Sequence, residues 1–197
     1  MSIGIMLAFL LWIYILSVLK RGKLDFWLFI AGSVGMFVFY MILLQPLLTV
    51  PLQKAVAAVA GLLGDVTGMF SSYFQQGILF VPCDTGAISL YIDYECSGII
   101  EIGAYLSLLV FFGVYSIQEK IVFSVLGSIG IFCANILRIF IIGSLIHLCG
   151  SDIYFVAHTI IGRIVFYGFT ILLYFYVFTR GQIKRQRIGK FNYDISE

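Results

Sequence analysis

Cys96, Arg138 and His158 are the residues whose types can do nucleophilic chemistry together in this chain. Cys96 lies in Tyr94-Glu95-Cys96-Ser97-Gly98-Ile99, where an alternating polar/apolar run ends and a long apolar segment begins. A thiol at a helix N-terminus sees the positive end of the helix dipole, which favours thiolate, the nucleophilic form. A thiolate that attacks a carbonyl gives a thioester. His158, near the start of the last apolar segment, titrates close to neutrality and suits proton transfer. Arg138, inside the segment before it, is always charged and presents a planar fork of donors, which suits a developing oxyanion. Ionisable groups within apolar segments of membrane length are costly and are functional candidates by default.

The neighbours of these three residues have supporting roles by position. Asn135 is three residues before Arg138 and shares its helix face. Gly162 is four residues after His158 and lets a neighbouring helix come close. Ser97 and Gly98 form the helix entrance beside the thiol. Glu101 is a candidate ion-pair partner for Arg138, which would make Arg138 structural; Arg163 is an alternative partner for Glu101. His147 competes with His158. It lies nine residues after Arg138, about half a turn away in phase on an unbroken helix. Cys133 and Cys149 read as small buried hydrophobes. The four cysteines make no zinc spacing and no CxxC, so neither metal nor cofactor is expected. A Cys83–Cys96 disulfide remains a rival that would remove the nucleophile.

The elements that hold these residues must lie in a membrane. The chain is 61% hydrophobic and 11% charged, against about 25% charged for a soluble domain. The expected fold is an all-α integral membrane bundle of about five transmembrane helices, in one domain over 1–197. The spans fall at about 2–19, 26–50, 97–115, 121–149 and 153–178. Segment 51–96 is read as extracytoplasmic and 180–197 as a cytoplasmic tail. Pro46 and Pro51 are expected to kink or stop the second helix. Residues 52–74 repeat apolar positions every three to four residues, as an amphipathic helix that lies in the interface or packs on the bundle.

Residues 77–95 change period. Ile78 to Pro82 is a candidate strand, Asp84-Thr85-Gly86 a turn, and 87–95 alternates strictly, so a short β-hairpin precedes Cys96. Lys20, Arg21, Lys23, Lys120 and the basic tail fall on one side of a five-span bundle. The positive-inside rule makes that side cytoplasmic. Cys96, Arg138 and His158 then all fall in the outer leaflet, so the expected site faces the extracytoplasmic side of a multi-pass protein of the cytoplasmic membrane.

Glu95-Cys96-Ser97-Gly98-Ile99, Asn135-Ile136-Leu137-Arg138-Ile139, and Ala157-His158 followed by Gly162 resemble the three signature motifs of the exosortase/archaeosortase family, in the family's order. The resemblance covers about 77–167, and the short chain is similar to the compact Gram-positive-type branch, exosortase G. It implies a membrane-embedded cysteine transpeptidase or protease acting on exported proteins that carry a C-terminal sorting signal: a motif, an apolar helix and a basic tail. It implies Cys96 as nucleophile, His158 as proton carrier and Arg138 as charge stabiliser. The partners implied are that substrate, the lipid bilayer and an acceptor nucleophile of unknown identity, with no nucleic acid. The rival class is a non-enzymatic scaffold or transporter subunit, in which Glu101, Arg138 and Arg163 line a polar pathway.

Overall fold

The computed structural model describes residues 3–83 and 86–186. The turn residues Asp84 and Thr85 and the tail from Arg187 onward lie outside the described residues.

Helix α1 (Ile3–Arg21) and helix α2 (Asp25–Leu43) form an antiparallel pair. Their contact is aromatic and close. Trp12 donates its indole N–H to the Ala31 carbonyl at 2.9 Å and packs against Gly35 and Phe39. Helix α2 ends at Leu43, before the expected limit of 50. Helix α3 then starts at Gln45 and runs unbroken to Thr67. Pro46 sits in its first turn, where an N–H would be unbonded anyway. The chain thus breaks at Leu44, and Pro51 is carried inside α3. Gly68, in the left-handed conformation at φ 71°, closes α3.

The expected hairpin is a three-stranded antiparallel sheet of order β1-β2-β3. Strand β2 (Ile78–Cys83) and strand β3 (Gly86–Tyr91) pair with Ile78 opposite Tyr91 and Cys83 opposite Gly86. Strand β1 (Ser71–Tyr73) was not expected, because three residues show no alternation; it pairs with β2 at Ser71–Phe80. Leu79 and Val81 turn inward and are buried with Val56, Ala57, Ile142 and Ile146.

Helix α4 (Ile99–Phe111) has 13 residues, roughly 20 Å at 1.5 Å per residue. Helix α5 (Ile117–Cys149) has 33 residues, about 50 Å, well beyond an apolar bilayer core of about 30 Å. It starts earlier than expected because Ser116 and Glu119 form a capping box. The last rod, Ser151–Ile183, contains helix α6 (Gly162–Tyr174), with π-helical turns at Val156–Ile161 and Phe175–Thr179; helix α7 (Arg180–Gln186) follows.

Among the described residues, five stretches are long and apolar enough to cross a membrane: α1, α2, α3, α5 and the rod. The chain is a mostly helical, multi-pass membrane protein with a small open sheet. The set of five differs from the expected one, with α3 replacing the shorter α4. Packing places α3 more finely. Tyr40, near the end of α2, donates to the Ile99 carbonyl at 3.3 Å, so α2 ends level with the start of α4. Helix α3 starts at that level, and its second half packs on β1 and on the end of α5, through Gly64, Gly143 and Phe70. The sheet rides on the same overhanging end of α5, where His147 Nδ1 lies 2.8 Å from the Pro82 carbonyl oxygen. An open sheet edge is not tolerated in lipid, and this placement keeps it beyond the short helices.

Candidate active site

The site is built from one turn and two helices. Residues 94–97 form a tight turn between the sheet and α4. The Cys96 N–H donates to the Asp93 carbonyl at 3.2 Å and to Asp93 Oδ1 at 3.0 Å. Ser97 Oγ donates to the Tyr94 carbonyl at 2.7 Å and accepts from the Ile99 N–H at 3.4 Å. Gly98 caps α4 at φ 79°. A Cβ there would meet only Asn135, at 3.6 Å, so the glycine is required by its backbone angle rather than by space.

Helix α5 supplies Asn135 and Arg138, both buried, at 0% and 6% exposure. Asn135 Nδ2 donates to the Cys96 carbonyl at 2.7 Å and so fixes the turn from the α5 side. Arg138 Nη2 donates to Cys96 Sγ at 3.8 Å, and its guanidinium lies 5.7 Å from the centre of the Phe166 ring. His158 comes from the π-helical turn before α6. Its Nε2 is 3.4 Å from Cys96 Sγ. Such single-turn π-bulges recur at functional sites because they re-aim one side chain. Tyr154, one turn earlier, stacks on the imidazole at 5.6 Å and 20°. Gly162 works as expected of a small residue: a Cβ would stand 2.8 Å from Ile142 of α5.

The structure therefore brings Cys96, Arg138 and His158 together, with Asn135, Ser97 and Gly98 holding the turn. Cys96 and His158 line one narrow cavity of about 30 Å³, walled by Leu79, Leu90, Ile139 and Ile142. His147 is engaged at β2 instead. Glu101 lies in the first turn of α4, and its Oε2 is buried without a partner, as is Arg138 Nε. Hence no hydrogen bond links the two at those atoms, and Arg163 is exposed on α6. Cys96 forms no disulfide, so the Cys83–Cys96 bond is absent. Cys133 and Cys149 are exposed rather than buried, because they fall on the outward face of α5.

Cys96 lies two residues before the cap of α4, outside its first turn. It is 5% exposed, and burial pushes its thiol up to about 11, with Arg138 opposing and Asp93 and Glu95 adding to the rise. Burial thus favours the neutral thiol over the thiolate. The imidazole at 3.4 Å is placed to take its proton.

Two contacts escaped sequence reasoning. Asp93 precedes Cys96 by three residues, the spacing at which an aspartate bonds a nearby backbone N–H. Tyr154 precedes His158 by four, the spacing of one helix face. Both signals were present in the sequence. Among the described residues, no group of three metal-ligating side chains converges.

Residues 1–176 match a family model described as transmembrane exosortase. The chain belongs to the transmembrane exosortase family. The match is to the family as a whole and assigns no branch. No curated protein and no solved structure matches this exosortase-family chain.

Proposed function

We infer that this protein is a membrane-embedded cysteine transpeptidase or protease that cuts C-terminal sorting signals from exported proteins. One observation carries the reading: Cys96 Sγ lies 3.4 Å from His158 Nε2 and 3.8 Å from Arg138 Nη2 in an enclosed pocket. Nucleophile, proton carrier and cation within reach of one point make the constellation for acyl transfer.

The steps follow from these roles. His158 takes the proton from the Cys96 thiol as sulfur attacks the scissile carbonyl. The carbonyl oxygen gains charge, and Arg138 stabilises it. The tetrahedral centre collapses, the C–N bond breaks, and His158 returns the proton to the leaving amine. A thioester on Cys96 remains. An acceptor nucleophile, or water, then attacks it and releases the thiol.

The orientation is part of the proposal. Lys20 and Arg21 end α1, Lys120 donates to the Val110 carbonyl, and Tyr115 packs against Gly181, so the basic residues share the end of the bundle away from Cys96. The positive-inside rule puts that end in the cytoplasm and the site on the extracytoplasmic side.

The test uses an exported reporter carrying a motif, an apolar helix and a basic tail, co-expressed with each variant. Cys96→Ala is expected to abolish the size shift of the reporter while the variant inserts normally. Cys83→Ala, Cys133→Ala and Cys149→Ala are expected to keep most of it. Processing at the wild-type level by Cys96→Ala would refute the assignment.

A further inference from the structure

The sheet that leads into Cys96 has two edges, and they are treated differently. The β1 edge is covered by α3, where Gly61 faces Ser72 and Gly64 faces Phe70. Among the described residues, strand β3 has β2 on one side and no strand on the other. Ile92 donates to the Gly77 carbonyl at 2.9 Å and continues the β2–β3 ladder by one step. Antiparallel pairing alternates, so the even residues 86, 88, 90 and 92 turn their main-chain groups toward β2. The N–H and C=O groups of Ala87, Ser89 and Tyr91 then point away from the sheet. Natural edges are blunted by lysine, proline or a bulge, and the strand Gly-Ala-Ile-Ser-Leu-Tyr carries none of these.

The open edge ends at the reaction centre. Tyr91 lines the narrow cavity with Cys96 and His158, and it also lines a separate groove with Gln45, Thr49, Gln53, Asp93 and Tyr94. The strand's last residue is thus the junction between the site and that groove. Gln45, Thr49 and Gln53 fall at four-residue spacing, on one face of α3. Gln53 is 7% exposed and lines that groove. Its primary amide offers one acceptor and two donors. A peptide main chain offers the complement.

We propose that the exported substrate docks as an extended strand on the outer edge of β3, pairing with Ser89 and Tyr91, and runs past Tyr91 so that its main chain reaches Gln53. The ligand class is an extended polypeptide, bound through its backbone by strand addition, with side-chain selection left to the flanking surfaces. The edge hands the scissile carbonyl to Cys96 with the chain already extended. The proposal rests on Cys96 being the nucleophile.

The experiment separates the two claims. The purified full chain in detergent is treated with a pool of randomised tetrapeptidyl chloromethyl ketones, with the same pool carrying N-methyl groups on alternate amides, and with iodoacetamide. Alkylation of Cys96 is followed by mass spectrometry. Loss of one or two ladder bonds is worth about tenfold. The N-methylated pool is therefore expected to label wild-type Cys96 about tenfold more slowly than the parent pool. Ser89→Pro removes an outward N–H while sparing the β2 ladder. It is expected to slow the parent pool by a similar factor and to leave iodoacetamide labelling unchanged. Equal labelling of wild type by both pools overturns the docking mode, whatever the variant does. Cys96 that reacts with iodoacetamide but shows no preference between pools leaves the proposed function standing without the edge. Cys96 that reacts with none of the three overturns both.

Discussion

The two ends of the bundle differ in how they use space. At the basic end, Phe29, Leu108, Phe112 and Phe178 wall a cavity of about 830 Å³. Its contacts are ring on ring, as in the 5.0 Å edge-to-face pair of Phe112 and Phe178. At the other end the cavity lined by Cys96 and His158 is about 30 Å³, yet Asn135 and Arg138, both buried, bond to Cys96. Volume therefore does not mark the chemistry. A large apolar cavity between helices asks nothing of its occupant beyond shape. A small enclosed one lined with fixed donors strengthens every charge placed in it.

That contrast has an energetic side. Arg138 Nε, Asn135 Oδ1 and Glu101 Oε2 are buried without partners. Each orphan costs free energy that packing elsewhere must offset. Under the proposed function, Arg138 is held in place before substrate arrives, and its unused donor meets the charge that forms only during reaction.

The sharpest way to break the contrast is to remove the proton carrier. His158→Gln keeps the size and polarity of the side chain and removes its titration. Reporter processing is expected to fall about 10²- to 10⁴-fold. His147→Gln, engaged with Pro82 at the sheet, is expected to process near the wild-type rate. Equal losses from both would show that the imidazole at 3.4 Å has no special role.

Arg138→Lys comes next. It keeps the charge and loses the planar fork. An oxyanion donor lost in this way costs about 10²- to 10³-fold in turnover. Iodoacetamide labelling of Cys96 should survive, since alkylation forms no tetrahedral oxyanion. Near-normal turnover would return Arg138 to a structural role. Lost labelling would mean that it holds the site together.

The thiol's own titration sharpens the picture further. Burial raises it to about 11, so below that pH the thiol is neutral, and the reactive thiolate fraction grows tenfold per pH unit. Iodoacetamide labelling is expected to climb about a hundredfold between pH 7 and pH 9 without levelling. A plateau near neutrality would reveal a resting thiolate instead.

How much of this was legible beforehand divides along physical lines. The apolar runs announced a helical membrane bundle, since about 20 residues without charge have few other uses. Cys96, Arg138 and His158 stood out by residue type at the ends or within apolar segments, and the structure brings Arg138 and His158 within 4 Å of Cys96 Sγ. Helix ends were harder. Pro46 and Pro51 read as breakers, yet a first-turn proline costs nothing and Pro51 is absorbed within α3. Strand β1 is too short to show a period. The position of Cys96 was harder too: the dipole acts within a helix's first turn, and the sequence does not reveal that Cys96 stops two residues short of the cap at Gly98.

The last prediction sets the two ends of α4 against each other, with the smallest change a protein allows. Gly98 caps the end nearer Cys96 at φ 79°. Gly113 follows the opposite end without a positive φ, and neither residue has space as its reason: a Cβ at Gly98 meets nothing closer than 3.6 Å, and one at Gly113 meets nothing within 4 Å. Alanine differs between the two sites only through the backbone. At Gly98 it pays the left-handed penalty, about 1–2 kcal/mol. The turn can relieve that strain only by rotating residues 96–98, which carries Cys96 Sγ away from His158 Nε2. Gly98→Ala is therefore expected to lower turnover about tenfold or more and to lower the thermal midpoint. At Gly113 alanine restricts the unfolded chain at no cost to the folded one, worth about 0.4–1 kcal/mol of added stability. Gly113→Ala should raise the midpoint slightly and leave turnover alone. Matched outcomes would mean that the turn before α4 is no more constrained than the loop after it, and the precision assigned to the Cys96 end would be lost.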